Sequence, residues 1–301
     1  MTIRNDITGI ALDLGGTKIA AARIQDGRVM KRVVHPTSPN DPPALHVTRM
    51  LEMAQKLGLA KADRIGMAVT GRIDAQGLWH AVNAGTLTDV KDANLIRLAS
   101  HAFDRPVPIV NDALAAAIAE YKIGAGQGSS AMAYLTVSTG VGGGLIIDGK
   151  PLASPNGMAG HVGFTTSRQS QRQCGSGRTG TVESVAGGRA IAAIAAAQGH
   201  DITTAKQVFE HAAAGVEWAD EIIDTAALAI AELLGNLTAT LGTDRVVLGG
   251  SIGLADGFAD RVGRHLMKEP ALFRTDLRIA QLGQDSVLLG AFMQPSLVRR
   301  R

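Results

Sequence analysis

The sequence predicts an α/β protein built of two lobes. A strand, a glycine-rich turn and a second strand occur twice along the chain, at 10–24 and at 131–148. Predicted helices and further strands follow each of the two patterns. The chain has 301 residues, which is enough for two domains of roughly 100–200 residues each. Two lobes with one topology indicate an internal duplication.

The first predicted lobe covers residues 1–112 and is completed by a C-terminal helix within 287–301. It opens with three antiparallel strands at 10–14, 18–24 and 29–34, because Asp26-Gly27 is typical of a hairpin turn. The elements predicted after them are a helix over 44–57 that ends at Gly58, a strand over 64–69, a helix over 92–103 and a strand over 107–110.

The second predicted lobe covers residues 113–286. It begins with an alanine-rich helix, a strand over 131–137, a glycine-rich turn over 138–144 and a strand over 145–147. A polar loop over 165–181 follows. The remaining predictions are helices over 182–198, 203–213 and 217–241, and a strand over 245–248 that ends at Gly249-Gly250.

Composition excludes several classes of protein. The 46% hydrophobic fraction is too high for a disordered chain, and a net charge of +3 is too weak for a dedicated nucleic-acid protein. A single cysteine forms no internal disulfide and no multi-cysteine zinc cage. The most apolar helical stretch, 222–241, contains Asp224 and Glu232, which favours a buried helix over a membrane span. We therefore expect a soluble, cytoplasmic protein with no membrane partner.

The segment from Asp13 to Lys18 is the first candidate phosphate site. Paired glycines after a strand let the backbone approach a phosphate closely, the two residues after them supply donors, and Asp13 could hold Mg²⁺ through water. The spacing is not that of a P-loop, and a strand follows instead of a helix. A simple hairpin turn is an equally good interpretation. The candidate residues are Asp13, Gly15, Gly16, Thr17 and Lys18.

The glycine run of the second lobe is the matching candidate. The run Gly140-Val141-Gly142-Gly143-Gly144 leads into a predicted strand, so we reject a dinucleotide-binding motif, which needs a helix there. Two such loops, one in each lobe, suggest that a triphosphate is held; the alternative is a flexible hairpin. The candidates here are Thr139, Gly140, Gly142 and Gly143.

Asn111-Asp112, at the start of the alanine-rich helix, has two interpretations. Asp before such a helix is a natural N-cap. It could also be a carboxylate that accepts a proton from a substrate hydroxyl. The sequence does not separate these roles, and one residue can serve both.

The motifs together resemble the ROK family of sugar kinases and repressors over nearly the whole chain. The matching tracts are LDLGGTK, VNDA-x-AAA-x-AE, STGVGGG and GMAGHVGF…CGSGRTGTVESVAGGRAI. LGGSIGLADGF and the segment 268–293 resemble bacterial N-acetylmannosamine kinases in particular. So does His161, which stands where most hexokinases of the family have Glu.

The resemblance implies a two-lobed, actin-like ATPase fold (ribonuclease H-like) with the active site in the interlobe cleft. It implies ATP and Mg²⁺, Asp112 as general base for the sugar 6-hydroxyl, and a homodimer. Residues 13–18 and 139–144 would hold the ATP phosphates, and Gly249-Gly250 would lie beside the adenosine. The residues implied in sugar binding are Gly71, Arg72, Asn83, Asn111, His161 and Glu183.

The chain departs from the family at its structural zinc site. The four ligand positions, one His and three Cys in the family, are occupied by Phe164, Cys174, Ser176 and Thr181. Because only Cys174 is a possible ligand, we expect no zinc, with Phe164 packed in place of the metal ligand. The arginines of the loop have no acidic partner within 165–181, which favours a solvated basic loop.

Three functions fit this sequence: an N-acetylmannosamine 6-kinase, a ROK kinase for another hexose such as glucose or N-acetylglucosamine, and a sugar-sensing regulator. Repressors of the family carry a helix-turn-helix domain before the kinase-like part. The first predicted strand begins by residue 10, so the regulator is the least favoured of the three.

Overall fold

The computed structural model describes residues 8–83, 90 and 93–294. Its strands are β1 Thr8–Leu14, β2 Lys18–Gln25, β3 Arg28–Pro36, β4 Arg64–Val69, β5 Arg72–Ile73, β6 Leu78–His80, β7 Ala93–Asn94, β8 Ile109–Asn111, β9 Ala131–Val137, β10 Val141–Ile147, β11 Lys150–Pro151, β12 Arg245–Gly249 and β13 Asp276–Ile279. Its helices are α1 Pro43–Lys56, α2 Leu95–Ala102, α3 Asp112–Ile123, α4 Glu183–Ala186, α5 Gly188–Ala197, α6 Ala205–Ala213, α7 Glu217–Leu241, α8 Gly250–Gly253, α9 Phe258–Leu266 and α10 Ser286–Met293.

The chain divides into two compact units. The first holds the described residues of Met1–Ala119, Ala153–Ala159 and Gln284–Arg301, and the second holds Glu120–Leu152 and Gly160–Gly283. The division falls within α3, after its eighth residue, whereas the sequence analysis placed the boundary at 112.

The first unit is built on a five-stranded mixed sheet in the order β3-β2-β1-β4-β8. β1, β2 and β3 pair antiparallel, as the meander predicted, and β4 and β8 join parallel to β1. The helix α1 covers this sheet through the buried side chains of Val47, Met50 and Met53. The parallel strands β1, β4 and β8 end together near the residues that the sequence singles out.

The second unit repeats this plan. Its sheet has the order β11-β10-β9-β12-β13, again with three antiparallel strands followed by two parallel ones. The long helix α7 lies in its core, with twelve buried residues. This helix is long and apolar enough to cross a membrane, but 61% of its most apolar window is buried within the unit. The prediction of a buried core helix is therefore confirmed.

The predicted strands and helices are confirmed with a few corrections. The glycines of 142–144 belong to β10 and pair with β9, so the turn is only 138–140. The helix predicted over 182–198 is broken at Gly187, where the backbone is extended and the next N–H donates to the carbonyl of Ser138. The helix predicted over 92–103 begins at Leu95, because Asn94 caps it by accepting from the backbone N–H of Arg97. Asp92, the first residue of the predicted helix, lies outside the described residues.

Other elements differ from the sequence analysis at the chain ends and in short segments. The C-terminal helix ends at Met293, and the remainder of the predicted range 287–301 lies beyond the described residues. Three short strands were not predicted; they form a separate sheet in the order β5-β6-β7. The amphipathic helix α9 and the edge strand β13 were also missed. Each of these elements is short, and periodicity is a weak signal over so few residues.

Candidate active site

Asp13 and the turn after it stand at the end of β1. The turn is closed by a hydrogen bond from the N–H of Gly15 to the carbonyl of Lys18 at 3.0 Å. Thr37 braces it from the end of β3: its N–H donates to the carbonyl of Thr17 and its hydroxyl donates to the carbonyl of Gly15. The side chains of Thr17 and Lys18 are exposed, so both remain available as donors. The sequence analysis missed Thr37, which lies far from the motif along the chain.

Asn111 and Asp112 lie where β8 becomes α3. The Asn111 Oδ1 atom accepts hydrogen bonds from the N–H groups of Ala113 at 3.0 Å and Leu114 at 3.2 Å, so Asn111 caps the helix. The interpretation of Asp112 as the N-cap is therefore wrong. Asp112 is instead the first residue of α3.

The Asp112 carboxylate is held by several donors of the first unit. Its Oδ1 atom accepts from Asn111 Nδ2 at 2.9 Å and from the N–H of Ala113 at 2.8 Å. Its Oδ2 atom accepts from the hydroxyl of Thr70 at 2.7 Å. Thr70 is a residue that the sequence analysis did not identify. Such bonds stabilise an ionised carboxylate, the form that a general base needs.

Asp13 and Asp112 influence each other electrostatically. Burial, and after it the negative charge of Asp112, raise the pKa of Asp13 to about 7, while Lys18 and Arg32 lower it. A nearby negative charge disfavours ionisation of a buried carboxylate such as Asp13, and a bound cation would offset this effect. The arrangement can thus accept a hard divalent cation, for which carboxylate oxygens are preferred ligands.

Gly71 and Arg72 follow Thr70 and turn away from the sheet. Gly71 has φ +96°, and its carbonyl accepts a hydrogen bond from Asn111 Nδ2 at 2.8 Å. Arg72 donates through Nη1 to the carbonyl of Asn156 at 2.7 Å, within the segment 153–159 that belongs to this unit. Asn83 is half-buried just before residues that the structure does not describe.

Glu183 and the glycine turn are joined in the second unit. The Glu183 Oε2 atom accepts from the N–H of Val141 at 3.1 Å. Burial raises the pKa of Glu183, and the bond from Val141 and the charge of Arg189 oppose that rise. Thr139 is exposed and Gly142 half-buried, whereas Gly143 is buried against Val162. Thr139 and Gly142 are therefore more open to a ligand than Gly143.

His161 stacks on Phe164. Their ring centroids lie 6.1 Å apart with the planes inclined by 17°. Phe164, at the position that the resemblance assigns to the first zinc ligand, is thus in ring contact with His161.

The loop over 165–181 is held by hydrogen bonds. Cys174 Sγ lies 3.0 Å from Ser176 Oγ, and Thr181 is fully buried with reciprocal bonds to Ser184. Arg168, Arg172 and Arg178 are exposed, which agrees with the expected solvated basic loop, and Arg168 also pairs with Glu232 of α7 at 2.9 Å. Within the described residues, no group of three or more His, Cys, Asp or Glu side chains is arranged to hold a metal ion.

A cavity of about 480 Å³ opens beside Ser251 in the second unit. Its volume is typical of a small-molecule site. Most of its lining residues were not predicted from the sequence. One of them, Thr204, forms a capping box with Gln207 at the start of α6, which is a helix signal that can be recognised in the sequence. It is lined by Ser138, Thr139, Gly188, Arg189, Thr203, Thr204, Ala205, Lys206, Phe209, Ser251, Ile252 and Ala255.

The structure thus brings the predicted residues together in two sets. Within the first unit, the set around β1, β4 and β8 contains Asp13, Gly15, Gly16, Thr17, Lys18, Gly71, Asn111 and Asp112. Within the second unit, the set around β9, β10 and β12 contains Thr139, Gly140, Gly142, Glu183, Gly249 and Gly250.

The chain is similar to known proteins over nearly its whole length. The ROK family model matches residues 9–297. An N-acetylmannosamine kinase of Escherichia coli is 40% identical over 287 residues, which cover 95% of this chain and 97% of that protein.

The fold is also similar to solved structures of ROK family kinases. A ROK hexokinase from Thermus thermophilus superposes with a TM-score of 0.82 and 32% identity, covering 95% of this chain and 97% of that one. A ROK family glucokinase from Streptomyces griseus, in complex with glucose and AMPPNP, superposes with a TM-score of 0.79 and 26% identity, covering 95% and 98% of the two chains. The two mixed sheets are those of the actin-like ATPase fold, as the resemblance implied.

Proposed function

The chain belongs to the ROK family, and on this premise we propose that it is an ATP-dependent kinase that phosphorylates the 6-hydroxyl of N-acetylmannosamine. The observation that carries the proposal is the Asp112 carboxylate, held by donors on both of its oxygens at the start of α3. The sugar is chosen because the E. coli relative of this name is 40% identical over nearly the full length of both chains.

The proposed reaction needs one base. The sugar O6 attacks the γ-phosphorus of ATP and forms a new P–O bond, while the bond from that phosphorus to the bridging oxygen of ADP breaks. The proton of the 6-hydroxyl passes to Asp112. Phosphoryl transfer depends mainly on positioning and on stabilisation of charge, so a carboxylate in a fixed orientation is well suited to the task.

The residues proposed for sugar recognition are taken unit by unit from the family resemblance. In the first unit they are Gly71, Arg72, Asn83 and Asn111, and in the second unit they are His161 and Glu183. A buried group that meets no hydroxyl is left unpaired, and this penalty is how such sites discriminate between sugars.

The ATP-binding residues are likewise proposed for each unit separately. In the first unit the turn over 13–18 would bind phosphate through backbone N–H groups, and in the second unit the candidates are Thr139 and Gly140 of the turn and Gly142 and Gly143 of β10. The adenosine would lie beside Gly249-Gly250 in the cavity of about 480 Å³. The exposed Lys206 and Arg189 at that cavity offer positive charge to the nucleotide.

Mg²⁺ would be held near Asp13 through water. Burial and the charge of Asp112 raise the pKa of Asp13, so a divalent cation beside it would favour the ionised carboxylate. When bound, the ion neutralises charge on the β- and γ-phosphates. We further propose that the protein folds without zinc. Metal analysis of purified protein tests this, and one equivalent of bound zinc would count against it.

A kinase for another hexose is the second candidate, favoured by the superposition on a hexokinase and on a glucokinase. A coupled assay of ADP release over a panel of hexoses and N-acetylhexosamines decides between them. We expect the highest kcat/KM with N-acetylmannosamine. Preference for glucose would support the second candidate, and no turnover with any sugar would overturn both.

We also propose a cytoplasmic homodimer. A reducing compartment agrees with Cys174 as a half-buried thiol outside any disulfide. The dimer is taken from the family resemblance alone. Light scattering after size exclusion tests it: a mass near twice 31.2 kDa is expected, and a monomer at micromolar concentration would refute it.

A further inference from the structure

The two oxygens of the Asp112 carboxylate are held from different parts of the first unit. Two donors to Oδ1, Asn111 and Ala113, are its immediate neighbours in the chain. A donor to Oδ2, Thr70, lies 42 residues away at the end of β4. The neighbours move with Asp112, whereas Thr70 ties its carboxylate to the central sheet.

Thr70 is itself rigidly placed. Its N–H donates to the carbonyl of Leu14 at 2.9 Å, and its carbonyl accepts from Trp79 Nε1 at 2.9 Å. Trp79 is fully buried in the core of this unit. Because the backbone is held at both groups, the hydroxyl of Thr70 has a defined position from which to hold the carboxylate.

The backbone at Gly71, directly after Thr70, is restricted in conformation and closely packed. Gly71 has φ +96°, a conformation that favours glycine, and a Cβ at this position would lie 2.5 Å from the carbonyl of His80. The carbonyl of Gly71 also accepts a hydrogen bond from Asn111 Nδ2. Thr70 and Gly71 therefore hold Asp112 and Asn111 as one assembly.

We propose that Thr70 is a positioning residue for phosphoryl transfer: its hydroxyl sets the direction of Asp112 Oδ2 toward the sugar hydroxyl. This inference rests on the proposed function of Asp112 as the base. A base has to lie within hydrogen-bond reach of the proton that it takes, and a small misplacement of a reacting group costs up to about 100-fold in rate. Loss of the Thr70 hydroxyl should consequently lower kcat and leave substrate affinity almost unchanged.

Thr70→Val and Thr70→Ser separate positioning from packing. Valine keeps the shape of threonine and removes the hydroxyl, and serine keeps the hydroxyl and removes the methyl group. We expect Thr70→Val to lower kcat about 10- to 100-fold, with the KM values for sugar and ATP within about threefold of the wild type. Thr70→Ser should keep kcat within about threefold. A role in packing alone predicts the opposite order.

Two further variants complete the experiment. Thr70→Ala lacks the hydroxyl and should lose kcat as the valine variant does, even if valine itself disturbs folding. Thr48→Val removes an exposed hydroxyl bonded to Ala44 within α1 of the same unit, and should keep wild-type kinetics. All kinetics use the sugar that the wild type phosphorylates fastest.

The outcomes distinguish this inference from the function on which it rests. An active wild type with an equally active Thr70→Val variant overturns the role of Thr70 alone. A serine variant as impaired as valine overturns it too, because the hydroxyl would then not be the group that matters. A wild type without turnover on any sugar overturns the proposed function itself.

Discussion

Glu183 Oε2 accepts a hydrogen bond from the backbone N–H of Val141 at 3.1 Å, so the first residue of α4 holds the first residue of β10. The side chain proposed to bind the sugar is thereby joined to the turn proposed to bind phosphate. A change in the turn that displaces the Glu183 carboxylate should therefore weaken sugar binding.

Gly140→Ala tests this connection. The added Cβ would lie 2.4 Å from Glu183 Oε2, so the carboxylate has to move and its bond to Val141 is lost. We expect the sugar KM to rise about tenfold, equivalent to about 1.4 kcal/mol, with the protein still folded. Glu183→Ala alone and the double variant should then share one KM, because the clash disappears with the carboxylate. A further rise in the double variant would contradict the account.

Asp13→Asn should stabilise the metal-free protein in a pH-dependent way. Burial, followed by the charge of Asp112, raises the pKa of Asp13 from 3.8 to about 7. The folded state therefore binds this proton more tightly than the unfolded state. The contribution of Asp13 to stability is complete below about pH 4 and is lost as the pH rises through about 7.

Urea unfolding in EDTA measures this effect. The neutral asparagine should raise the free energy of unfolding by about 2–4 kcal/mol at about pH 8.5, with little difference from the wild type at about pH 4. If the free energies of unfolding of Asp13→Asn and the wild type differ equally at both pH values, ionisation of Asp13 is not the cause of the difference.

Ser184→Ala tests the hydroxyl network that supports the loop over 165–181. The Ser184 hydroxyl is buried, accepts from the N–H of Thr181 at 3.0 Å and lies 2.7 Å from its carbonyl. Its removal leaves buried backbone groups unpaired and should cost about 1–3 kcal/mol of unfolding free energy. Ser130→Ala, at an exposed serine of the same unit, is the control and should be nearly neutral. Equal stability of both variants would refute a structural role for the network.

Gly290→Ala tests the packing of α10 on the first unit. A Cβ at Gly290 would lie 1.6 Å from the carbonyl of Ala115 in α3, the helix that begins with Asp112. The helices must separate, which should cost about 3 kcal/mol or more and lower kcat. Gly263→Ala in α9, where no atom lies within 4 Å of the added Cβ, should instead be neutral or slightly stabilising. Thermal unfolding of both variants against the wild type gives the comparison.

The sequence predicts regular elements well where the pattern is long. The alternation of β1 to β3, the apolar stripe of α1 and the buried length of α7 follow from periodicity alone. The run Gly142 to Gly144 was assigned to a turn because glycine disfavours strands, yet it pairs with β9. Tertiary pairing overrides such local preferences.

The candidate site could be predicted only in part, for a physical reason. Motifs identify residues that are neighbours in sequence, such as Asn111 and Asp112. Thr70 and Thr37 act on these motifs from 42 and 22 residues away, through contacts that only the folded sheet creates. Asn111 rather than Asp112 caps α3 because of side-chain directions that two adjacent polar residues do not reveal in sequence.

The central claim is that Asp112 is the base for phosphorylation of a sugar, and Asp112→Asn tests it most directly. ADP release at saturating ATP and N-acetylmannosamine is measured beside the sugar Kd from calorimetry. We expect kcat to fall at least about 100-fold while the Kd changes by less than about threefold, because the amide keeps the shape but cannot accept the proton. Near-normal turnover in the Asp112→Asn variant would contradict the account.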